Sequence, residues 1–398
     1  MSAFDAVQDG GSGSAAARHP QIPPHRGRLN SEVVEEPHDD WRLRLPESAR
    51  RRIRHWLGTI AAMTFLVLAV GGVTRLTHSG LSIVDWRPFV GVVPPLSQSE
   101  WVDNFERYQQ FPEYRQLRPH MTLAEYKRIF FWEYLHRVLA RLTGLVFLVP
   151  FAFFWLSGTI TRPLAWRALA LFALGATQGM VGWLMVQSGL IDRPSVSHYG
   201  LAAHLFLALA IFGQCIWLIR DLSLGVTRPA VAAVARRRAG RALIAVGGLL
   251  GLQIVWGAFV AGLKAGLVFN TFPLMDGALV PFTHWTSSPA ALDLVQQPSG
   301  VQWLHRVIGT VLVVAAYLLR RGFRQLSMDR TSITFSVVLL WATAAQYALG
   351  VLTLVLFVPV GFAVAHQAMA MVIVGLWVGA VHHVRHLATA PATRRVNS

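Results

Sequence analysis

Four histidines stand at matching places in the two halves of this chain: His136 and His204 in the first, His305 and His366 in the second. Each lies in the opening turns of a long apolar run. Histidine is costly in a bilayer core and is the commonest metal ligand. One such histidine alone reads first as a hydrogen-bonded structural group. Four at matched positions read as two buried sites for a metal or a haem. Two neighbouring helices that each present one neutral imidazole at equal depth can ligate an iron from both faces of a haem.

The residues beside these histidines add chemistry. Each leading histidine is followed by an arginine, Arg137 after His136 and Arg306 after His305. A forked guanidinium suits haem propionates; an arginine that snorkels to the interface is the other reading. Arg75 and Lys264 are further candidates for the propionate role. Three residues before His136 stands Glu133, on nearly the same helix face, and its counterpart in the second half is Gln302. The two side chains are similar in shape, yet only the carboxylate can exchange a proton or stabilise developing positive charge. The first half is thus equipped for chemistry, while the second holds a cofactor. A glutamate that snorkels or caps polar groups is the plainer alternative.

These residues need elements that place them in a membrane. The chain has 398 residues, of which 54% are hydrophobic and 14% charged. Runs of about 18 or more apolar residues read as spans, and eight occur, near 56–76, 132–156, 165–187, 197–219, 241–263, 303–320, 333–356 and 362–384. The net charge of +16 collects in arginine clusters at alternate span ends, around 42–54, 162–167, 228–241, 320–330 and 385–395. That is the positive-inside pattern, so both termini are expected to be cytoplasmic, and no nucleic-acid partner is implied. The single cysteine, Cys215, lies within a span, which rules out an intramolecular disulfide or a thiolate cluster.

The halves repeat. GGVTRLTHSGL from Gly71 aligns with GAFVAGLKAGL from Gly257, and Asp85 and Pro88 loosely match Asn270 and Pro273. EYLHRV at 133–138 faces QWLHRV at 302–307, and GLAAH at 200–204 faces FAVAH at 362–366. The expected fold is all-α: eight transmembrane helices in two four-helix bundles, related by a pseudo-twofold axis along the membrane normal. The expected divisions are a disordered cytoplasmic tail at 1–54, an N-terminal half at 55–222 and a basic linker at 223–240. A C-terminal half at 241–385 and a short tail at 386–398 follow. The long non-cytoplasmic loop 77–131 carries two capping boxes, Ser97 with Glu100 and Thr122 with Glu125. The first opens an amphipathic helix bearing Trp101, Phe105 and Tyr108, expected on the membrane surface. Gln178 with Gly182, Gln253 with Gly257, and Gln346 with Gly350 are packing devices or room for a flat macrocycle. His198, just above His204, reads as an interfacial residue. The remaining histidines fall in the tails, in loops or at the cytoplasmic end of the last span.

Taken together, GGVTRLTHSGLS, FFWEYLHRVLARLTG, SHYGLAAHL, the 270–277 stretch NTFPLMDG, WLHRVIGT and VAHQAMA resemble the haem A synthase family, over about residues 55–385. The resemblance implies an oxidoreductase that turns a ring methyl of haem o into a formyl. Two successive hydroxylations and loss of water from the geminal diol give haem a for terminal oxidases. It implies haem b on His305 and His366 with Arg306 near, haem o on His136 and His204 with Arg137 near, and Glu133 as the functional glutamate. An outer-loop cysteine pair found in some members is absent from 77–131. The setting implied is a bacterial inner membrane, with the haem sites towards the periplasmic face. Haem O synthase and an electron donor are the implied partners, and a homo-oligomer is compatible. A bis-histidine di-haem b electron carrier and a transporter are the rival readings. The first commonly places ligands at both membrane depths; the second rarely needs matched histidines.

Overall fold

The structure is a computed structural model that describes residues 41, 44–84, 93–191, 195–225 and 228–390. Its helices are α1 (Glu47–Leu76), α2 (Gln98–Gln109), α3 (Leu123–Leu156), α4 (Arg162–Ile191), α5 (His198–Asp221), α6 (Ala233–Gly262), α7 (Asp293–Gln296), α8 (Pro298–Gln325), α9 (Arg330–Val355) and α10 (Val360–Arg385). Eight of them, all but α2 and α7, are long and apolar enough to cross a membrane. Helices satisfy their own backbone groups, which hydrocarbon demands, and the chain is a multi-pass membrane protein. The expectations for Asp85 and Pro88, for most of the N-terminal tail and for 391–398 lie outside the described residues.

Helices α1, α5, α6 and α10 pack on one another and form the middle of the molecule. Helices α3 and α4 flank α1 and α5 on one side; α8 and α9 flank α6 and α10 on the other. An aromatic cluster stiffens the first group: Trp56 lies against Phe147, Phe151 and Phe154. Pro150 sits inside α3 and cannot donate to the Val146 carbonyl one turn earlier. Trp56 Nε1 donates to that carbonyl instead, at 3.0 Å, so the proline leaves no orphaned acceptor.

Several boundaries differ from those expected. Helix α1 starts at Glu47 rather than near 55, because Glu47 pairs with Arg50 and Arg54 and lets the arginine-rich turn stay helical. The last part of the basic linker 223–240 is helix, since α6 begins at Ala233. Its preceding residues Ala230–Val231 (β1) pair in parallel with Ala388–Thr389 (β2) of the expected C-terminal tail. Both capping boxes form as expected. The amphipathic helix α2, however, turns its aromatic face onto α3: Trp101 packs on Tyr126 and Phe130, and Tyr108 is fully buried against Tyr126. These ring contacts with α3 cover the aromatic face of α2.

At the arginine-rich end, Asp221 closes α5 and is buried. It accepts from Arg167 of α4 at 2.8 Å and lies 3.1 Å from His382 Nε2 of α10. The next residue, His383, contacts Asp329, the N-cap of α9, at 2.9 Å. Adjacent histidines thereby tie α10 to both groups of helices.

Candidate functional site: two histidine pairs

The four predicted histidines converge in pairs near one end of the bundle. His136 of α3 lies within electrostatic reach of His204 of α5, and His305 of α8 within reach of His366 of α10. Each ring turns one edge to a glycine of a different helix. A methyl group on Gly71 of α1 would stand 2.9 Å from His136, and one on Gly182 of α4 would stand 2.9 Å from His204. On Gly257 of α6 it would stand 3.1 Å from His305, and on Gly350 of α9 2.8 Å from His366. Distances this short exclude a side chain, so all eight spans contribute: four bring an imidazole and four bring the space for it.

The glycines of the three glutamine-glycine pairs make room for a histidine ring. In each, the glutamine lies one turn before the glycine that meets the ring: Gln178 before Gly182 and His204, Gln253 before Gly257 and His305, Gln346 before Gly350 and His366. The Nδ1 atoms of these three rings are buried and meet no hydrogen-bond partner at ordinary geometry. Gln346 Nε2 donates to the His366 carbonyl at 2.9 Å, and Gln253 Nε2 lies 3.3 Å from His305 Nε2. His136 presents Nε2 and Cδ2 to its glycine, where the other three present Cε1 and Nδ1. A half-turn about χ2 relates the two orientations.

Buried Glu133 pairs with half-buried Arg137, Oε1 to Nη2 2.6 Å. The other carboxylate oxygen accepts from the Ser82 amide, the Ser82 hydroxyl and the Ile83 amide, at 2.7, 2.7 and 2.8 Å. Arg137 also donates to the Ile83 carbonyl at 2.9 Å. In the second half Gln302 and Arg306 both donate to the Phe269 carbonyl, at 3.1 and 2.9 Å. Arg306 further reaches the carbonyls of Pro273 and Leu274. Both arginines therefore hold the turn that follows the preceding helix, a task the sequence reading did not assign to them.

The surroundings of the pairs differ. Below His305, Thr310 of α8 and Tyr347 of α9 share a hydroxyl hydrogen bond of 2.9 Å. The matched positions in the first half are Arg141 and Gly179. A methyl on Gly144, Gly175 or Gly179 would meet nothing within 4 Å. Helices α8 and α9 pack along their length, whereas α3 and α4 touch far less. Only 6% of the most apolar stretch of α4 is buried, against 22% for α9, so the first half stands open between α3 and α4.

Other predicted candidates lie elsewhere. His198 contacts the Val295 carbonyl at 3.0 Å and packs on Phe259, in the seam between the groups and away from the pairs. Arg75 donates to the Ala261 carbonyl at 3.1 Å, which ties α1 to α6. Lys264 occupies a left-handed position just after α6, as His78 does after α1. The glycine behind His136 and the hydroxyl bridge between α8 and α9 escaped sequence reasoning. Their only signal was alignment of the two halves, position by position.

The residues that carry this geometry lie within 54–378, the stretch matched by the family model COX15-CtaA, described as cytochrome oxidase assembly protein. A protein of Rhodospirillum centenum named Heme A synthase is 44% identical over 342 residues, 85% of this chain and 90% of the relative. Proteins of the same name from Sinorhizobium fredii and Rhizobium meliloti are each 44% identical. These matches cover 82% and 83% of this chain, and 88% and 89% of the relatives. Two histidine pairs backed by glycines, on eight spans that a single family model covers almost end to end, leave one assignment: the chain belongs to the COX15-CtaA family of cytochrome oxidase assembly proteins.

Proposed function

We propose that this chain is a haem A synthase, an oxidoreductase of haem biosynthesis that converts a ring methyl of haem o to a formyl by successive hydroxylations. The observation that carries this reading is the inequality of two otherwise matched histidine pairs. The His305–His366 pair sits in a closed bundle, with Gln253, Thr310 and Tyr347 around it, as suits a resident cofactor. The His136–His204 pair sits in a bundle open between α3 and α4, as suits a substrate with a long apolar tail that arrives through the bilayer.

The donor set fits haem in both halves. Each pair offers two imidazoles from two helices, each with a bare glycine behind it, and three rings keep a buried Nδ1 shielded from water. Gln253 lies on the Nε2 face of His305, and its flexible amide is the group that must swing aside. His305 and His366 would hold haem b, which supplies one-electron redox chemistry when bound. His136 and His204 would hold haem o. Arg137 and Arg306 follow the leading histidines and are the cations we assign to propionates, in addition to their hold on the loop turns.

Glu133 is the functional carboxylate of this reading. It lies one turn from His136, and Arg137 with three further donors satisfies both carboxylate oxygens in a dry setting. A fixed negative charge there stabilises positive charge that develops on the substrate as the methyl is oxidised. We place the protein in a bacterial inner membrane with both pairs towards the periplasmic side. Haem O synthase is a fitting source of substrate, and hydroxylation at the expense of dioxygen would draw its electrons from a partner donor.

Extraction and chromatography of the pigments of the purified protein, after expression with haem o supplied, tests the reading. Haem b together with haem a is expected. Haem b alone, at two per chain and with no haem a formed, would replace it with a di-haem electron carrier.

A further inference from the structure

The two histidine pairs are joined by a contact that occurs on one side of the molecule only. Gln367, next to His366 on α10, donates from Nε2 to the Leu68 carbonyl of α1 at 2.9 Å. A methyl on Gly72 would stand 3.2 Å from that amide, and a methyl on its neighbour Gly71 would stand 2.9 Å from His136. Successive residues of a helix point about 100° apart. The Gly71–Gly72 doublet therefore gives α1 two bare faces, one for the His136 ring and one for the Gln367 amide.

The matched contact between α5 and α6 is built differently. There Leu205 follows His204, and Ala258 follows Gly257. Ala258 is buried in an apolar cluster against which Leu205 packs, with no directional bond. Two positions thus change together, glutamine with glycine on one side and leucine with alanine on the other. Apolar packing alone suffices to hold such helices together, as the second contact shows. A polar amide inside the bundle is expensive to keep and needs a further reason.

We propose that Gln367 is a positioning residue that couples the two pairs. It locks α10, at the residue beside His366, to the part of α1 that backs His136. A displacement of α10 when the second pair changes its bound group or redox state is passed to the wall behind His136, and the reverse. The apolar Leu205–Ala258 contact can slide and transmits no such constraint. This inference rests on the haem A synthase reading for the nature of the two occupants.

The test uses the full-length purified protein with its resident haem, before and after loading with haem o. Wild type is compared with Gln367→Met and with the double variant Gln367→Leu/Gly72→Ala, which installs the apolar pair of the other contact. The readouts are the low-spin electron paramagnetic resonance signal and the midpoint potential of the resident haem. In wild type, loading haem o is expected to shift both. In both variants the resident haem should be retained with its unloaded spectrum, the response to haem o should vanish, and conversion should fall about tenfold. A wild-type response in the variants overturns the coupling, as does loss of the resident haem from both, which would make Gln367 a support of its own site alone. A wild type that forms no haem a contradicts the underlying reading instead, so the two failures are distinguishable.

Discussion

Glu133 and Gln302 occupy matched positions and hold the same turn with opposite hydrogen-bond roles. Glu133 accepts from the Ile83 amide, and Gln302 donates to the Phe269 carbonyl, the equivalent residue. In both halves the following arginine donates to that same carbonyl, at 2.9 Å. The turn can therefore be held with or without a carboxylate. Holding the loop does not by itself explain why one half keeps a buried charge.

That comparison makes Glu133→Gln an informative substitution. A glutamine at 133 can donate to the Ile83 carbonyl as Gln302 does to Phe269, so the loop should keep its shape while the charge is lost. Conversion of haem o is expected to fall at least tenfold with resident haem content unchanged. Glu133→Ala should in addition destabilise the protein by about 3 kcal/mol, because it takes the acceptor from the amides of Ser82 and Ile83 and the carboxylate from the half-buried Arg137. Pigment analysis and thermal unfolding in detergent report the two effects. Full conversion by Glu133→Gln would reduce Glu133 to a loop clamp.

The glycines behind the rings should be intolerant, each for its own pair. Gly350→Ala places a methyl 2.8 Å from His366, and Gly182→Ala places one 2.9 Å from His204. Such overpacking costs about 1–3 kcal/mol and turns the ring. Gly350→Ala is expected to remove at least half of the resident haem, measured as the pyridine haemochrome. Gly182→Ala should leave that haem in place and abolish haem o binding. Equal loss of both haems in either variant would count against two separate sites.

The opening between α3 and α4 predicts a route. Gly179→Tyr with Arg141→Thr would recreate the Thr310–Tyr347 bridge in the first half. Conversion of haem o should drop about tenfold or more while the resident haem stays. An unimpaired double variant would show that substrate enters elsewhere.

The packed loop carries a pH dependence. Burial pushes the Glu113 carboxyl up to about 7 from 4.5; Arg118 and Lys264 oppose the shift, and Glu133 adds to it. A raised carboxyl stabilises the fold fully below its unfolded value, and the contribution is lost as pH rises through about 7. Hydrogen exchange across α2 and residues 113–117, corrected for its intrinsic rate, should therefore quicken between pH 5 and 8. Glu113→Gln should flatten this trend; an unchanged profile would assign it to another group.

Much of this protein was legible along the chain because a bilayer leaves few options. Length, apolarity and arginine placement are one-dimensional signals, and they marked the eight spans with errors only at the ends. Matching the halves also singled out His136, His204, His305 and His366, since a duplication repeats its costly polar residues. The contact of the aromatic face of α2 with α3 was not legible, because periodicity shows that a face is apolar without showing what covers it.

The sequence by itself determined the eight spans, the repeat, the four histidines and the substitution of Glu133 by Gln302, because all of these are written in residue type and spacing. Only the tertiary structure decided that Gly71, Gly182, Gly257 and Gly350 each receive a ring, that Arg137 and Arg306 serve loop turns, and that one half is closed by Thr310 and Tyr347. Each of these is a meeting of side chains from different helices. Such meetings depend on helix rotation and separation, and the packing of all eight spans together sets those quantities.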